Sequence, residues 1–204
     1  MSITLHKGDI PADLDLGTVI AVDTETQGLN PQRDNLCLVQ LSSGDGSAHI
    51  VQLDRETYDA PNLKAMLGNQ DNLKIFHFAR FDIAVCKKYL EIDCTPVYCT
   101  RTASRLVRTY TDRHGLAHCC RELLGVDLNK QQQSSDWSAE ELSDAQLEYA
   151  ASDVYHLHAL KEKLDMMLNR EGRMELAQGC FECLPVRADL DLAGWASEDI
   201  FAHN

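Results

Sequence analysis

A chain of 204 residues with 44% hydrophobic content is long and apolar enough for one good-sized core, compatible with one globular domain. No stretch approaches the roughly 18–20 apolar residues of a membrane helix, and residues 1–9 lack the basic region and apolar block of a signal peptide. A cytoplasmic chain with no membrane partner is therefore expected. The net charge of −13 argues against an obligate nucleic-acid binder, yet residues 74–130 hold ten Lys/Arg against six Asp/Glu.

Residues 18–26 begin as a buried apolar strand and end polar. Gly, Asn and Pro mark residues 28–35 as a loop. Strands are predicted at 36–41 and 48–53, joined by a hairpin turn at 43–46, so the chain opens with a three-stranded meander. Pro61 starts a short helix through Leu67. A buried strand at 73–78 and a helix at 82–89 follow, then a short strand at 97–99. Helices are predicted at 102–107 and 116–124, the second stopped by Gly125. Ser138, with Glu141 three residues on, reads as a capping box opening the longest helix, in which Leu147, Ala151, Val154, Leu164 and Leu168 recur at helical spacing up to about Gly172. An antiparallel meander followed by strand–helix alternation gives an α/β domain over residues 1–172, its mixed sheet flanked by helices. Residues 173–204, acidic and carrying Trp195 and Phe201, read as a tail docked on that domain.

Eight cysteines, Cys37, Cys86, Cys94, Cys99, Cys119, Cys120, Cys180 and Cys183, mostly sit among apolar residues and read as reduced core thiols. Cys180 and Cys183 have the spacing of half a zinc site, but no second Cys/His pair at a matching spacing accompanies them.

Five polar residues stand out. Asp23 and Glu25, two apart at a strand end, point to the same side, and adjacent carboxylates repel unless a proton or cation lies between them. Acids that simply cap a turn give the same pattern. Asp82 follows an apolar strand, where an Asp is equally at home as a helix N-terminal residue. Tyr149 and Asp153 lie one turn apart on one helix face, in a stretch of small and apolar residues. A carboxylate there needs a metal ion or a basic partner. An oxygen-rich set of this kind suits Mg²⁺ or Mn²⁺. Two such ions roughly 3.5–4 Å apart serve in-line phosphoryl displacement.

These residues carry a resemblance. Val22-Asp23-Thr24-Glu25-Thr26, His77-Phe78-Ala79-Arg80-Phe81-Asp82 and Tyr149-x-x-x-Asp153 resemble, in order and spacing, the three exonuclease motifs of the DEDDy superfamily. Leu128-Asn129-Lys130, Ser135-Asp136-Trp137 and residues 147–153 are similar to ribonuclease D around its third motif. The resemblance runs over about residues 19–168. It implies a ribonuclease H-like fold and a 3′→5′ exoribonuclease that hydrolyses RNA with two divalent cations and releases nucleoside 5′-monophosphates, in 3′ processing of the tRNA type. Asp23, Glu25, Asp82 and Asp153 would be the metal ligands. Tyr149 would hold or help deprotonate the attacking water; with a free pKa near 10, orienting it is the safer role. Thr24, Thr26, His77 and Phe78 would contact the terminal nucleotide.

The chain departs from longer family members, which carry helical nucleic-acid-binding domains after the catalytic one. Grip on a single-stranded 3′ end then falls to the catalytic domain, with Arg101, Arg105, Arg108, Arg113 and Lys130 as candidates. Solvated helix faces and salt bridges are the other reading of those arginines. Cys99 stands at a strand–helix junction where some relatives have an acid. DNA is the alternative substrate, because the motifs act on phosphates and not on sugars. A non-catalytic RNA-binding protein on the same fold is a third reading, although no motif carboxylate is missing.

Overall fold

The computed structural model describes residues 1–128 and 135–203. Lys130, one of the expected RNA contacts, lies outside them. Six strands form one sheet in the order β1-β4-β3-β2-β5-β6: β1 (Ser2–Lys7), β2 (Val19–Thr26), β3 (Leu36–Ser42), β4 (Ser47–Gln52), β5 (Leu73–Phe76) and β6 (Val97–Cys99). The meander of β2, β3 and β4 is antiparallel, while β5 and β6 join parallel. This is the mixed α/β sheet flanked by helices that the sequence predicts. β3 is buried along its whole length, as its central place requires. In the β2–β3 ladder Asp23 pairs with Gln40, and the register shifts at a bulge between Glu25 and Thr26. A bulge turns the strand locally and re-aims its side chains.

The helices are α1 (Pro61–Gly68), α2 (Ala79–Val85), α3 (Thr100–Val107), α4 (Leu116–Leu124), α5 (Asp144–Tyr155), α6 (Leu157–Arg170) and α7 (Met174–Leu192); α2 runs on into a wider π-helical turn at Cys86–Leu90. Helix α5 crosses β1 to β4 and α6 continues over β5. Gly125 ends α4 with φ of 72°, a left-handed conformation that costs glycine little. Among the described residues no helix is long and apolar enough to cross a membrane.

Four expectations need correction. The first strand, β1, was not anticipated. Its parallel pairing with β4 is remote in sequence and its residues are exposed apart from half-buried Leu5 and His6, so neither a turn signal nor a strong apolar alternation announces it. The capping box lies at Ser143 and Gln146, not at Ser138 and Glu141; Ser138 instead bonds Asp136 within a turn. The long helical pattern is two helices meeting at His156, which caps both. The apolar period runs through the joint because Val154, Leu157, Leu160, Leu164 and Leu168 are all buried. Finally, residues 174–192 form a helix. Gly179 and Pro185 weaken its local propensity. Tertiary contacts hold it: Phe181 packs on Tyr98 with ring centroids 4.6 Å apart, and Asp191 pairs with Arg80 on α2.

Candidate active site

Side chains alternate along β2, and the strand uses both of its faces. Asp23 and Glu25 point together toward α5, where they meet Asp153; carboxylate oxygens of the three residues lie within 4.8 Å of one another. Thr24, between them, points the other way and donates from Oγ1 to Oδ1 of Asp82, 2.7 Å off. Helix α2 begins at Ala79, so Asp82 sits within its first turns and is not the cap. The cap is Phe78, in the left-handed region at φ 81°. A bulky residue there is strained, and such strain persists only where surrounding structure fixes it.

Burial and mutual repulsion dominate the electrostatics. Asp23 is held well above the usual carboxylate range, first by burial and then by Asp82, Asp153 and Glu25. Glu25 is pushed up to about 9 by burial, Asp153 and Asp82. Asp82 rises to about 7 through burial, with the Thr24 hydroxyl opposing. No Arg or Lys is among the groups that set the Asp23 and Glu25 shifts. Tyr149, one turn before Asp153, hydrogen-bonds its carboxylate; burial, then Asp153 and Glu25, drive the phenol far up, so it stays protonated. Four carboxylates, Asp82 buried and Asp23, Glu25 and Asp153 half-buried, offer oxygen donors alone and match the demands of a hard divalent cation.

The acids lie in a cavity of about 590 Å³. Thr24, Thr26, His77, Phe78 and Arg101 line it with Tyr149. His77 takes part in a hydrogen bond between Nδ1 and Thr100 Oγ1 at 2.8 Å, and burial followed by nearby Arg101 pushes it down to about 3, so it is neutral. Arg101 lies over the exposed Phe78 ring, its guanidinium carbon 4.6 Å from the centroid.

Sequence reasoning missed other lining residues. Leu29 is 90% exposed on the loop after β2. That loop is shaped by Asp34, which accepts from the Asn30 amide; a Cβ on Gly28 would lie 2.3 Å from the Asp34 carboxylate. Trp137, 5.9 Å from the Tyr149 ring, stands in the motif that carried the ribonuclease D resemblance, a signal available but unused. Leu116, at the start of α4, had no signal, because an apolar helix residue looks the same in a core or at a cavity wall.

The arginines divide. Arg105 and Arg113 are exposed and outside the cavity lining. Arg108 is fully buried, pairs with Glu122 and donates to Ser104 Oγ and the Arg113 carbonyl, both at 2.9 Å. Its hydrogen bonds are spent inside the protein, which removes it from the candidates for gripping RNA. Cys99, where an acid was considered, is the N-cap of α3: its sulfur accepts from the Thr102 amide at 3.4 Å.

A family model described as 3′-5′ exonuclease matches residues 9–169. Ribonuclease D of Gluconacetobacter diazotrophicus is 32% identical over 156 residues, covering 76% of this chain and 39% of that protein. The chain thus spans well under half the length of this curated relative. Among solved structures, Brucella melitensis NrnC with bound Mg²⁺ is 52% identical with a TM-score of 0.95, and the same protein bound to pGG is 53% identical with a TM-score of 0.96; both matches cover 100% of either chain.

Proposed function

Because the chain belongs to the 3′-5′ exonuclease family, we propose that it is a 3′→5′ exoribonuclease that removes nucleoside 5′-monophosphates from single-stranded RNA ends, as in 3′ processing of tRNA type. The observation that carries this reading is the convergence of Asp23, Glu25 and Asp153 within 4.8 Å, with Asp82 tied to the same strand. The Mg²⁺ of the Brucella neighbour supports the use of a divalent cation; the proposal is two such ions, Mg²⁺ or Mn²⁺, on Asp23, Glu25, Asp82 and Asp153. Cations held there would neutralise charge and act as Lewis acids at the scissile phosphate.

The chain's own residues have separate tasks. Tyr149, whose phenol is held in its protonated form by burial and by Asp153, is suited to orient the attacking water through its hydroxyl. Neutral His77 offers a hydrogen bond to the terminal nucleotide without adding charge. Phe78 supplies a face for a base, and Arg101 places a cation beside the phosphates. Thr24 and Thr26 line the approach. All eight cysteines are free, which accords with a reducing cytoplasm.

The test is digestion of 3′- and 5′-labelled RNA and DNA of matched sequence, with Mg²⁺, with Mn²⁺ and with chelator; pGG is a natural first short substrate. Stepwise, cation-dependent loss of 3′ nucleotides from RNA is expected. Faster digestion of DNA would move the assignment to a DNA exonuclease, and intact RNA with either cation would overturn the proposal.

A further inference from the structure

Beside the carboxylates lies a polar side chain with no hydrogen-bond partner among the described residues. Gln40, on β3, is 0% exposed, and neither its Oε1 nor its Nε2 is paired there. A glutamine amide carries two N–H donors and a carbonyl oxygen with two lone pairs. Buried amides of this kind are nearly always satisfied, and leaving one unmet is costly. The neighbours Leu38, Val39 and Leu41 are all buried apolar residues, and a Leu or Met would fill the same space without that cost.

The ladder shows what the amide is next to. Gln40 pairs with Asp23 across the antiparallel β2–β3 ladder and with Ile50 across β3–β4. Directly opposed residues point to the same face, with Cβ atoms about 4.5–5.5 Å apart. Of these two partners only Asp23 has an acceptor. The α5 residues buried against this side of the sheet, Ala150, Ala151 and Val154, offer no polar side chain.

We propose that Gln40 is the positioning residue of the cation site: its side-chain amide donates to the neighbouring Asp23 carboxylate through one bridging water, and fixes which oxygen faces Glu25 and Asp153. Carboxylates that ligate metals are themselves held by hydrogen bonds, and loss of such a support typically weakens metal affinity about 10–100-fold. The inference rests on the reading of the acids as a divalent-cation site. It adds a residue on a neighbouring strand that touches neither cation nor substrate.

The test is Mn²⁺ binding to the full chain by titration calorimetry, without substrate, beside thermal unfolding in chelator. Wild type, Gln40→Met and Asp153→Asn are compared. Gln40→Met keeps the volume and removes every hydrogen-bonding atom. It is expected to unfold at or above the wild-type temperature in chelator while binding Mn²⁺ about tenfold more weakly. Gln40→Leu, which fills most of the same space with no hydrogen-bonding atom and no charge, replaces it if the Met variant does not fold. A Gln40 variant that folds and binds Mn²⁺ within about twofold of wild type overturns the inference, because a space-filling residue behaves that way. Absence of Mn²⁺ binding by wild type, or wild-type binding by Asp153→Asn, overturns instead the reading of the acids on which the inference rests.

Discussion

Arg101 holds its guanidinium over the ring of Phe78, 4.6 Å from the centroid, and Phe78 adopts φ 81° to be there. The residue is 43% exposed, so core packing does not account for the strain. Base stacking on an aromatic ring is worth about 1–3 kcal/mol. Phe78→Gly relieves the backbone and removes the ring. It should leave the melting temperature unchanged or raised while increasing KM for RNA about tenfold, with a smaller change in kcat. A variant that melts lower with unaltered KM would show the ring to be structural.

The acids repel one another, and removing one should help the metal-free fold while ending catalysis. Glu25→Gln should reduce kcat by about 10³-fold or more, the scale of losing a group from a site that acts electrostatically. In chelator near neutral pH the same variant should melt above wild type, because a neutral amide replaces a carboxylate whose ionisation is opposed by burial, Asp153 and Asp82. Equal melting temperatures would mean that the repulsion is relieved in some other way.

Stability should fall with rising pH. Folded Glu25 and Asp82 keep protons up to about 9 and about 7, whereas the unfolded chain releases them near their ordinary values of 4.5 and 3.8. The folded state therefore binds more protons across that window. Their contribution is complete below about pH 4 and is lost as pH climbs through the folded values. Melting in chelator should accordingly drop between about pH 5.5 and about pH 8.5, and Mg²⁺ or Mn²⁺ should flatten the slope by binding the ionised carboxylates. A flat profile in chelator would contradict the raised values.

Tyr149→Phe separates orientation from metal binding. It removes only the hydroxyl that bonds Asp153. kcat should fall about 10²-fold, with little change in Mn²⁺ affinity measured by calorimetry. A parallel loss of Mn²⁺ binding would make the hydroxyl part of the cation site.

Arg108→Ala and Arg105→Ala are near in sequence and opposite in consequence. Arg108 is enclosed by Ser104, Glu122 and the Arg113 carbonyl, so its loss should destabilise the protein by about 2–3 kcal/mol. Arg105 is exposed, and its loss should change stability by under about 0.5 kcal/mol. Denaturant unfolding of the two variants decides this.

What could be read from the chain followed the range of the signal. The meander was legible because β2, β3 and β4 carry strong apolar runs, with a Gly/Asn/Pro-marked loop between the first two and a short turn between the last two. The spacing of Asp23 to Glu25 and of Tyr149 to Asp153 is local, and strand or helix periodicity puts each pair on one face. That the pairs face each other and join Asp82 is tertiary information that only the resemblance supplied; the Thr24 hydroxyl that ties Asp82 to the strand had no signal in the sequence. β1 and α7 were not legible: one is held by a partner remote in sequence, and the other overrides its own Gly179 and Pro185 through contacts with Tyr98 and Arg80. Arg108 shows the converse limit. It reads like its neighbours on paper, yet its place at the C-cap of α3 turns it inward.

The bulge between Glu25 and Thr26 lets β2 keep its pairing with β3 past the acids and still turn aside at its end. Before the bulge the strand is in strict phase, with two acids on one side and a threonine on the other. Deleting a single residue upstream of Asp23 would reverse that phase. Hydroxyls would then stand where carboxylates now do, and the acids would be driven toward α2. The chain's chemistry is thus set by counting: the length of an otherwise ordinary apolar strand decides whether this surface attracts cations.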